Sequence, residues 1–105
     1  MSLKLVKVEG ASMEPTYREG DWLLINFSSK RKLPKAGSVV VIEREEQPGI
    51  FYIKRISEVR ASTGHQATIY VLSDNSAGTD SRTWGWLPKS SIVGRALFRI
   101  RRKRL

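Results

Sequence analysis

The chain has 105 residues and a net charge of +9, from 19 Lys and Arg against 10 Asp and Glu, and it contains no cysteine. This length suits a single domain with one hydrophobic core. The composition excludes disulfides, cysteine nucleophiles and cysteine-ligated metal sites. The single histidine, His65, excludes a metal site built from several histidines.

Short apolar runs separated by turn-forming clusters follow one another along the chain, and helical periodicity is nearly absent. Strands are predicted for residues 3–8, 22–27, 39–42, 50–59, 67–72 and 92–100. The turn at residues 62–64 (STG) predicts a hairpin between the fourth and fifth of these strands. The sequence therefore predicts an all-β protein with a coiled, partly closed antiparallel β-sheet.

The end of the chain carries much of the excess positive charge. Residues 98–105 (FRIRRKRL) begin with alternating apolar and basic side chains, so we expect the end of the last strand and then a solvated basic tail. Residues 1–97 would then form the single β-rich domain. A basic run also attracts nucleic acid, anionic lipid or acidic partners without specificity, so weak contact with an anionic surface is the alternative role. No specific nucleic-acid partner is expected.

The first residues (MSLKLVKV) contain too few consecutive apolar side chains for a signal peptide, and no stretch approaches the ~20 apolar residues of a membrane span. Together with the lack of cysteine, this predicts a cytoplasmic protein. The alternative is a soluble piece of a membrane-anchored protein.

The segment at residues 8–17 (VEGASMEPTY) departs from ordinary strand-and-turn sequence. A predicted strand runs into Gly10, Ala11, Ser12 and a bend fixed by Pro15. The small residues would let a substrate backbone approach Ser12 closely, and the Ser12 N–H could face a carbonyl oxygen under attack. By itself the segment is more typical of a plain turn than of a catalytic loop.

A nucleophilic serine needs a base that takes its proton. His65 lies in a polar turn, where an exposed loop residue is more typical than a catalytic one. Lys54 is better placed, because it lies within FYIKRI (residues 51–56), where burial would lower the lysine pKa and favour a neutral amine. The other interpretation is a lysine on the solvent face of a strand, where most strand lysines lie.

Four segments in the same order resemble the conserved boxes of signal peptidase I. They are GASMEPTY with the following GD (residues 10–21), LPKAGSVVV (residues 33–41), YIKRI (residues 52–56) and SDN to TDSRTWG (residues 73–85). Residues 87–88 and 92–96 resemble the closing segment of that family. The resemblance spans residues 8–96, and four ordered boxes are far more specific than one.

The resemblance implies a mostly antiparallel β domain and a serine-lysine dyad that needs no metal or organic cofactor. Ser12 would attack the scissile carbonyl, and Lys54, as the neutral amine, would take the hydroxyl proton and deliver it to the leaving amine. Gly10 and Met13 would lie in the substrate-binding cleft. Because Gly10 stands where some members carry a serine, the second donor to the oxyanion is left open.

The resemblance also assigns a supporting role to two residues of the last box. Asp80 and Arg82 would form an ion pair that braces the site, the alternative being a capped turn with a surface arginine. Ser73 opens this box in place of the family's glycine, and the box is about one residue shorter. No unambiguous serine is therefore left before Asp80 to orient Lys54, and Thr79 and Ser81 are the candidates for that task.

The chain resembles most the compact relatives of signal peptidase that are proposed to mature nickel-containing superoxide dismutase. This implies a serine endopeptidase that removes an N-terminal extension from a precursor protein. One alternative is the catalytic core of a membrane-anchored signal peptidase I that cleaves exported preproteins. Another is a non-catalytic or repressor-like binding module, although no helix-turn-helix pattern precedes the β domain.

Overall fold

A computed structural model of the protein describes residues 2–27 and 33–101. The described residues form one seven-stranded sheet, in the order β1-β2-β7-β3-β4-β5-β6, which curls into a half-barrel. The strands are β1 (Leu3–Lys7), β2 (Trp22–Asn26), β3 (Val39–Glu43), β4 (Phe51–Ser62), β5 (His65–Leu72), β6 (Leu87–Pro88) and β7 (Ile92–Arg101). A one-turn helix, α1 (Ser81–Trp84), and a 3-10 turn (Lys89–Ser91) connect the last strands.

The predicted all-β class and antiparallel sheet are confirmed, since every strand pair is antiparallel. Each predicted strand is present with ends that differ by a few residues, and β4 and β5 form the predicted hairpin, with Ser62 opposite His65. Strand β6 and helix α1 were not predicted. Two and four residues are too short to show a periodicity of hydrophobic side chains.

Two hydrophobic clusters lie on opposite faces of the sheet and share strand β3. Val40 and Ile42 belong to one cluster and Val41 to the other, because successive side chains of a strand point to opposite faces. This explains why β3 is a continuous apolar run rather than an alternating one. Tyr52 and Ile56 of β4 pack on the first cluster, so that cluster also receives the side chain between them, Lys54.

Three predictions from the sequence concern the single histidine, the basic end of the chain and membrane-spanning segments. His65 is exposed at the start of β5, as expected for a residue at a polar turn. Strand β7 continues to Arg101, and the rest of the predicted basic tail, residues 102–105, lies outside the described residues. Within residues 2–27 and 33–101, no helix has the length and apolar character needed to cross a bilayer.

Candidate active site

Ser12 lies in the loop that leaves β1. The chain is held at the exit of the strand by two backbone hydrogen bonds of 2.8 Å, from the Val8 N–H to the Asp21 carbonyl and from the Gly20 N–H to the Val8 carbonyl. Gly10 then turns the chain with a φ of +79°, a conformation that favours glycine. The result is a bend that leaves Ser12 partly exposed.

The backbone on either side of the Ser12 side chain is fixed by Asn75, from the loop after β5. The Asn75 N–H donates to the Ser12 carbonyl over 2.8 Å, and the Asn75 side-chain amide donates to the Ala11 carbonyl over 3.0 Å. These contacts join the first and last sequence boxes, which are far apart in the chain. The position of Ser12 therefore depends on the loop that follows β5.

Lys54 is the largest fully buried side chain of the described residues, with 2 % of its surface exposed. Its Nζ donates a 2.9 Å hydrogen bond to Ser73 Oγ. The rings of Tyr52 and Trp84 lie beside the amine, with their centroids 5.6 and 5.8 Å from Nζ. The interpretation of Lys54 as a solvent-facing strand lysine is therefore wrong, because β4 is covered on this face by the residues around α1.

The environment of Lys54 lowers the pKa of its amine. Burial is the main cause, since it disfavours the charged form, and the positive charge of Arg82 acts in the same direction. The negative charge of Asp80 opposes the change but does not outweigh burial. A larger fraction of Lys54 is thus neutral at a given pH than of an exposed lysine.

Ser12 and Ser73 both lie against Gly78. A Cβ placed on Gly78 would lie 3.0 Å from the Ser12 Cβ and would overlap Ser73, whose hydroxyl holds Lys54. Among the described residues, the Lys54 amine donates to Ser73 rather than to the Ser12 hydroxyl. Hydrogen bonds between a nucleophile and its base are often formed only when substrate is bound.

Asp80 and Arg82 form the ion pair expected from the sequence. The Arg82 guanidinium donates to both carboxylate oxygens of Asp80, over 2.9 and 3.0 Å, and Asp80 is almost completely buried. Burial acts to raise the Asp80 pKa, but hydrogen bonds from the Arg82 side chain, the Ser73 N–H and the Arg82 N–H together lower this pKa to about 2. Asp80 is therefore a fixed anion that holds the backbone of Ser73.

A second ion pair, which the sequence did not predict, supports the same loop. Arg55 follows Lys54 in β4 and donates two hydrogen bonds, of 2.9 and 2.8 Å, to the carboxylate of Asp74. The Thr16 hydroxyl donates to the same carboxylate over 2.6 Å. Asp74 thus connects β4 with the loop that carries Ser12.

A cleft of about 370 Å³ opens beside Ser12. Apolar side chains from β1, β3, β4 and the adjoining loops dominate its wall, namely Val6, Val8, Met13, Val41, Ile50, Phe51 and Ile53. Lys7, Glu9, Ser12 and Gly49 complete the lining. Met13 is therefore in the cleft, whereas Gly10 lies at the bend between two lining residues, Glu9 and Ser12.

The hydroxyl that contacts Lys54 belongs to neither of the predicted candidates. Ser81 Oγ accepts a 2.9 Å hydrogen bond from the Val71 N–H, and Thr79 is exposed at the surface. Ser73 was noted only as a substitution for glycine. The sequence did contain a signal for the role of Ser73. Where signal peptidase I carries glycine, the side chain and hydroxyl of a serine need space and a hydrogen-bond partner among the neighbouring residues.

Comparison with known families agrees with this architecture. The model of the family described as signal peptidase, peptidase S26, matches residues 1–59 and 62–101, which is nearly the whole chain. No curated protein matches the chain significantly.

The Asp80 carboxylate provides a test of the site's electrostatics. Since its pKa is about 2 in the folded protein and ordinarily 3.8, its interactions stabilise the fold fully above about pH 4, and this contribution is lost as the pH falls towards 2. The contribution is about 2 kcal/mol. The free energy of unfolding, measured with urea from pH 2 to 7, should therefore be lower at neutral pH in Asp80→Asn and should change less between pH 4 and 2.

The matched control is Glu46→Gln, which removes a carboxylate whose side chain is 70 % exposed. It should follow the wild-type curve, because it leaves Asp80 and the hydrogen bonds of its carboxylate unchanged. An Asp80→Asn curve parallel to that of the wild type below pH 4 would contradict the assignment.

Proposed function

The chain belongs to the signal peptidase family, peptidase S26, and on this premise we propose that it is a serine endopeptidase in which Ser12 is the nucleophile and Lys54 the general base. The observation that carries the proposal is the burial of the Lys54 amine beside the loop of Ser12. Lys54 is 2 % exposed and the pKa of its amine is lowered, so the neutral form that can accept a proton is more populated than in an exposed lysine.

The proposed reaction has two stages. Ser12 Oγ attacks the scissile carbonyl while its proton passes to the neutral amine of Lys54, and the resulting ammonium then gives the proton to the leaving amine. This leaves an acyl group on Ser12. A water molecule, deprotonated by Lys54, releases that group and restores the serine hydroxyl.

Asp80 is not a suitable base for this reaction, although it is a buried carboxylate whose charge acts on Lys54. Its pKa of about 2 makes it a poor proton acceptor at neutral pH, and both of its oxygens accept hydrogen bonds. We assign Asp80 and Arg82 the supporting role, in which the anion holds Ser73 and thereby the residue that contacts Lys54.

The shape of the cleft favours a polypeptide substrate over a small ester. Strand β1 lies at the edge of the sheet that the described residues form, so one side of its backbone is available to pair with an extended peptide that leads to Ser12. The apolar wall of the cleft, with Met13 and Val8 near the nucleophile, would receive uncharged side chains of that peptide. Gly10 would allow the peptide to approach the bend.

The partner that we propose is a precursor protein with an N-terminal extension, and nickel superoxide dismutase is the specific candidate. This finer assignment is supported by the resemblance in sequence alone. An exported preprotein is the alternative substrate of the same chemistry.

Cleavage of a precursor panel should distinguish these substrates. We expect the wild type to cut one precursor, either that of nickel superoxide dismutase or an exported preprotein, at a single site. Ser12→Ala and Lys54→Met should reduce the rate by at least about 1,000-fold, because each removes one half of a unit that acts together. Mass spectrometry of the products gives the cleavage site.

The matched controls are Ser57→Ala for the serine and Lys35→Met for the lysine. Each makes the same change of residue type at an exposed position outside the cleft. Both should retain wild-type rates, and circular dichroism should show that all four variants are folded. Cleavage by folded Ser12→Ala at the rate of the wild type would refute the assignment of the nucleophile.

The pH dependence of cleavage tests the base separately. Because the neutral amine of Lys54 is the active form, kcat/KM should rise as the pH increases through the lowered pKa of Lys54 and should level off below 10.5, the ordinary lysine value. The measurement is kcat/KM for the best precursor peptide from pH 5 to 10. A profile that shows no rise anywhere between pH 5 and 10 would argue against a lysine base.

A further inference from the structure

Ser73 and Gly78 face each other beside the amine of Lys54, and only one of the two positions carries a side chain. Ser73 follows β5 and places its hydroxyl 2.9 Å from Lys54 Nζ. Gly78 lies across the same loop, where its N–H donates a 2.9 Å hydrogen bond to the Asn75 carbonyl. The loop thus folds back on itself with one hydroxyl inside it.

Position 78 requires glycine because a side chain there would collide with its neighbours, and not because its backbone has a positive φ. Its φ is outside the positive range found at six other glycines of the chain, so an L-residue could adopt its backbone. An added Cβ would, however, overlap the Ser73 hydroxyl, lie 2.7 Å from the Ser73 Cβ and lie 3.0 Å from the Ser12 Cβ. The first two contacts come from Ser73 alone.

We propose that Ser73 is the positioning residue of Lys54, and that Ser73 and Gly78 form a reciprocal pair in which the space for one hydroxyl can be filled from either position. The proposal rests on the proposed function, since Lys54 is positioned for proton transfer with Ser12. It assigns to Ser73 a role that neither Thr79 nor Ser81 can perform.

The contacts of Ser73 explain how it would direct the amine. Its N–H donates to Asp80 Oδ2 over 2.7 Å, and its hydroxyl lies 3.4 Å from the Thr79 carbonyl, towards which its proton can point. Ser73 Oγ is then an acceptor for an N–H of Lys54. Because that N–H is held by Ser73, the lone pair of the neutral amine is directed away from Ser73 and is free for the Ser12 proton.

The other groups around the amine cannot replace this hydrogen bond. Asp80 and Arg82 act on Lys54 through their charges, and the rings of Tyr52 and Trp84 contact it with their faces. None of them offers the amine a neutral oxygen acceptor. The effect of removing the Ser73 hydroxyl should therefore fall on the orientation and the titration of Lys54.

The test moves the hydroxyl from one position to the other. Ser73→Ala should lower kcat/KM by about 10- to 100-fold, the range typical of residues that orient a catalytic group, with little change in KM. Ser73→Gly with Gly78→Ser should recover most of that loss, because the two closest neighbours of a Cβ at position 78, both atoms of the Ser73 side chain, are then absent. Ser73→Gly with Gly78→Ala is the matched control, which restores the Cβ without the hydroxyl and should recover nothing.

A second measurement keeps the inference separate from the proposed function. NMR titration of Lys54, followed at its Cε in selectively labelled protein, should show a lower midpoint in Ser73→Ala, because the ammonium loses its acceptor. The midpoint should return towards the wild-type value in the serine exchange and not in the alanine control. This titration does not require any substrate.

The results separate the two hypotheses. A changed Lys54 titration in a protein that cleaves no precursor would support the positioning role and refute the peptidase assignment. An unchanged titration in folded Ser73→Ala, or equal activity of the serine exchange and its alanine control, would overturn the inference. If the double variants do not fold, the titration of Ser73→Ala decides.

Discussion

The burial of one amine is the constraint on which the rest of this structure depends. A lysine inside a protein is costly unless its charge is neutralised or its hydrogen bonds are satisfied. Here the sheet places Lys54 between Tyr52 and Ile56, on the face of a hydrophobic cluster, and Ser73 supplies the acceptor. The lowered pKa follows from this placement, and the proposed chemistry needs that same property.

The neighbouring segments hold the residues that contact this amine in place. Asp80 remains ionised while buried because four hydrogen bonds favour its anion, and it holds the backbone of Ser73 in return. Asp74 and Asn75 connect this loop with β4 and with the loop of Ser12. The site is therefore one network, in which the nucleophile and the proposed base are positioned by a single loop after β5.

The sequence was sufficient for the fold class and proposed the candidate residues, but it did not predict their contacts. Alternation and β-branched runs predicted the main strands, since a period of two is visible in segments of five or more residues. The burial of Lys54 was undecided, because the alternation within β4 does not tell which face of the strand is covered. The cover comes from Trp84, which is 30 residues away in the chain.

The contact between Ser73 and Lys54 could not be predicted for a related reason. The order of residues in a box suggests which hydroxyl is available, whereas the direction of each side chain depends on how the loop folds back. Thr79 and Ser81 were reasonable candidates by position, yet one is exposed and the other accepts a hydrogen bond from Val71.

The most direct test of the account is the capture of the acyl-enzyme. The protein would be mixed with an activated peptide ester, quenched in acid within seconds, and its intact mass and modified residue determined by mass spectrometry. The account predicts a single acyl group on Ser12 that forms faster as the pH rises and is absent from Lys54→Met. Acylation of another residue, or equal labelling of Ser12 in Lys54→Met, would contradict it.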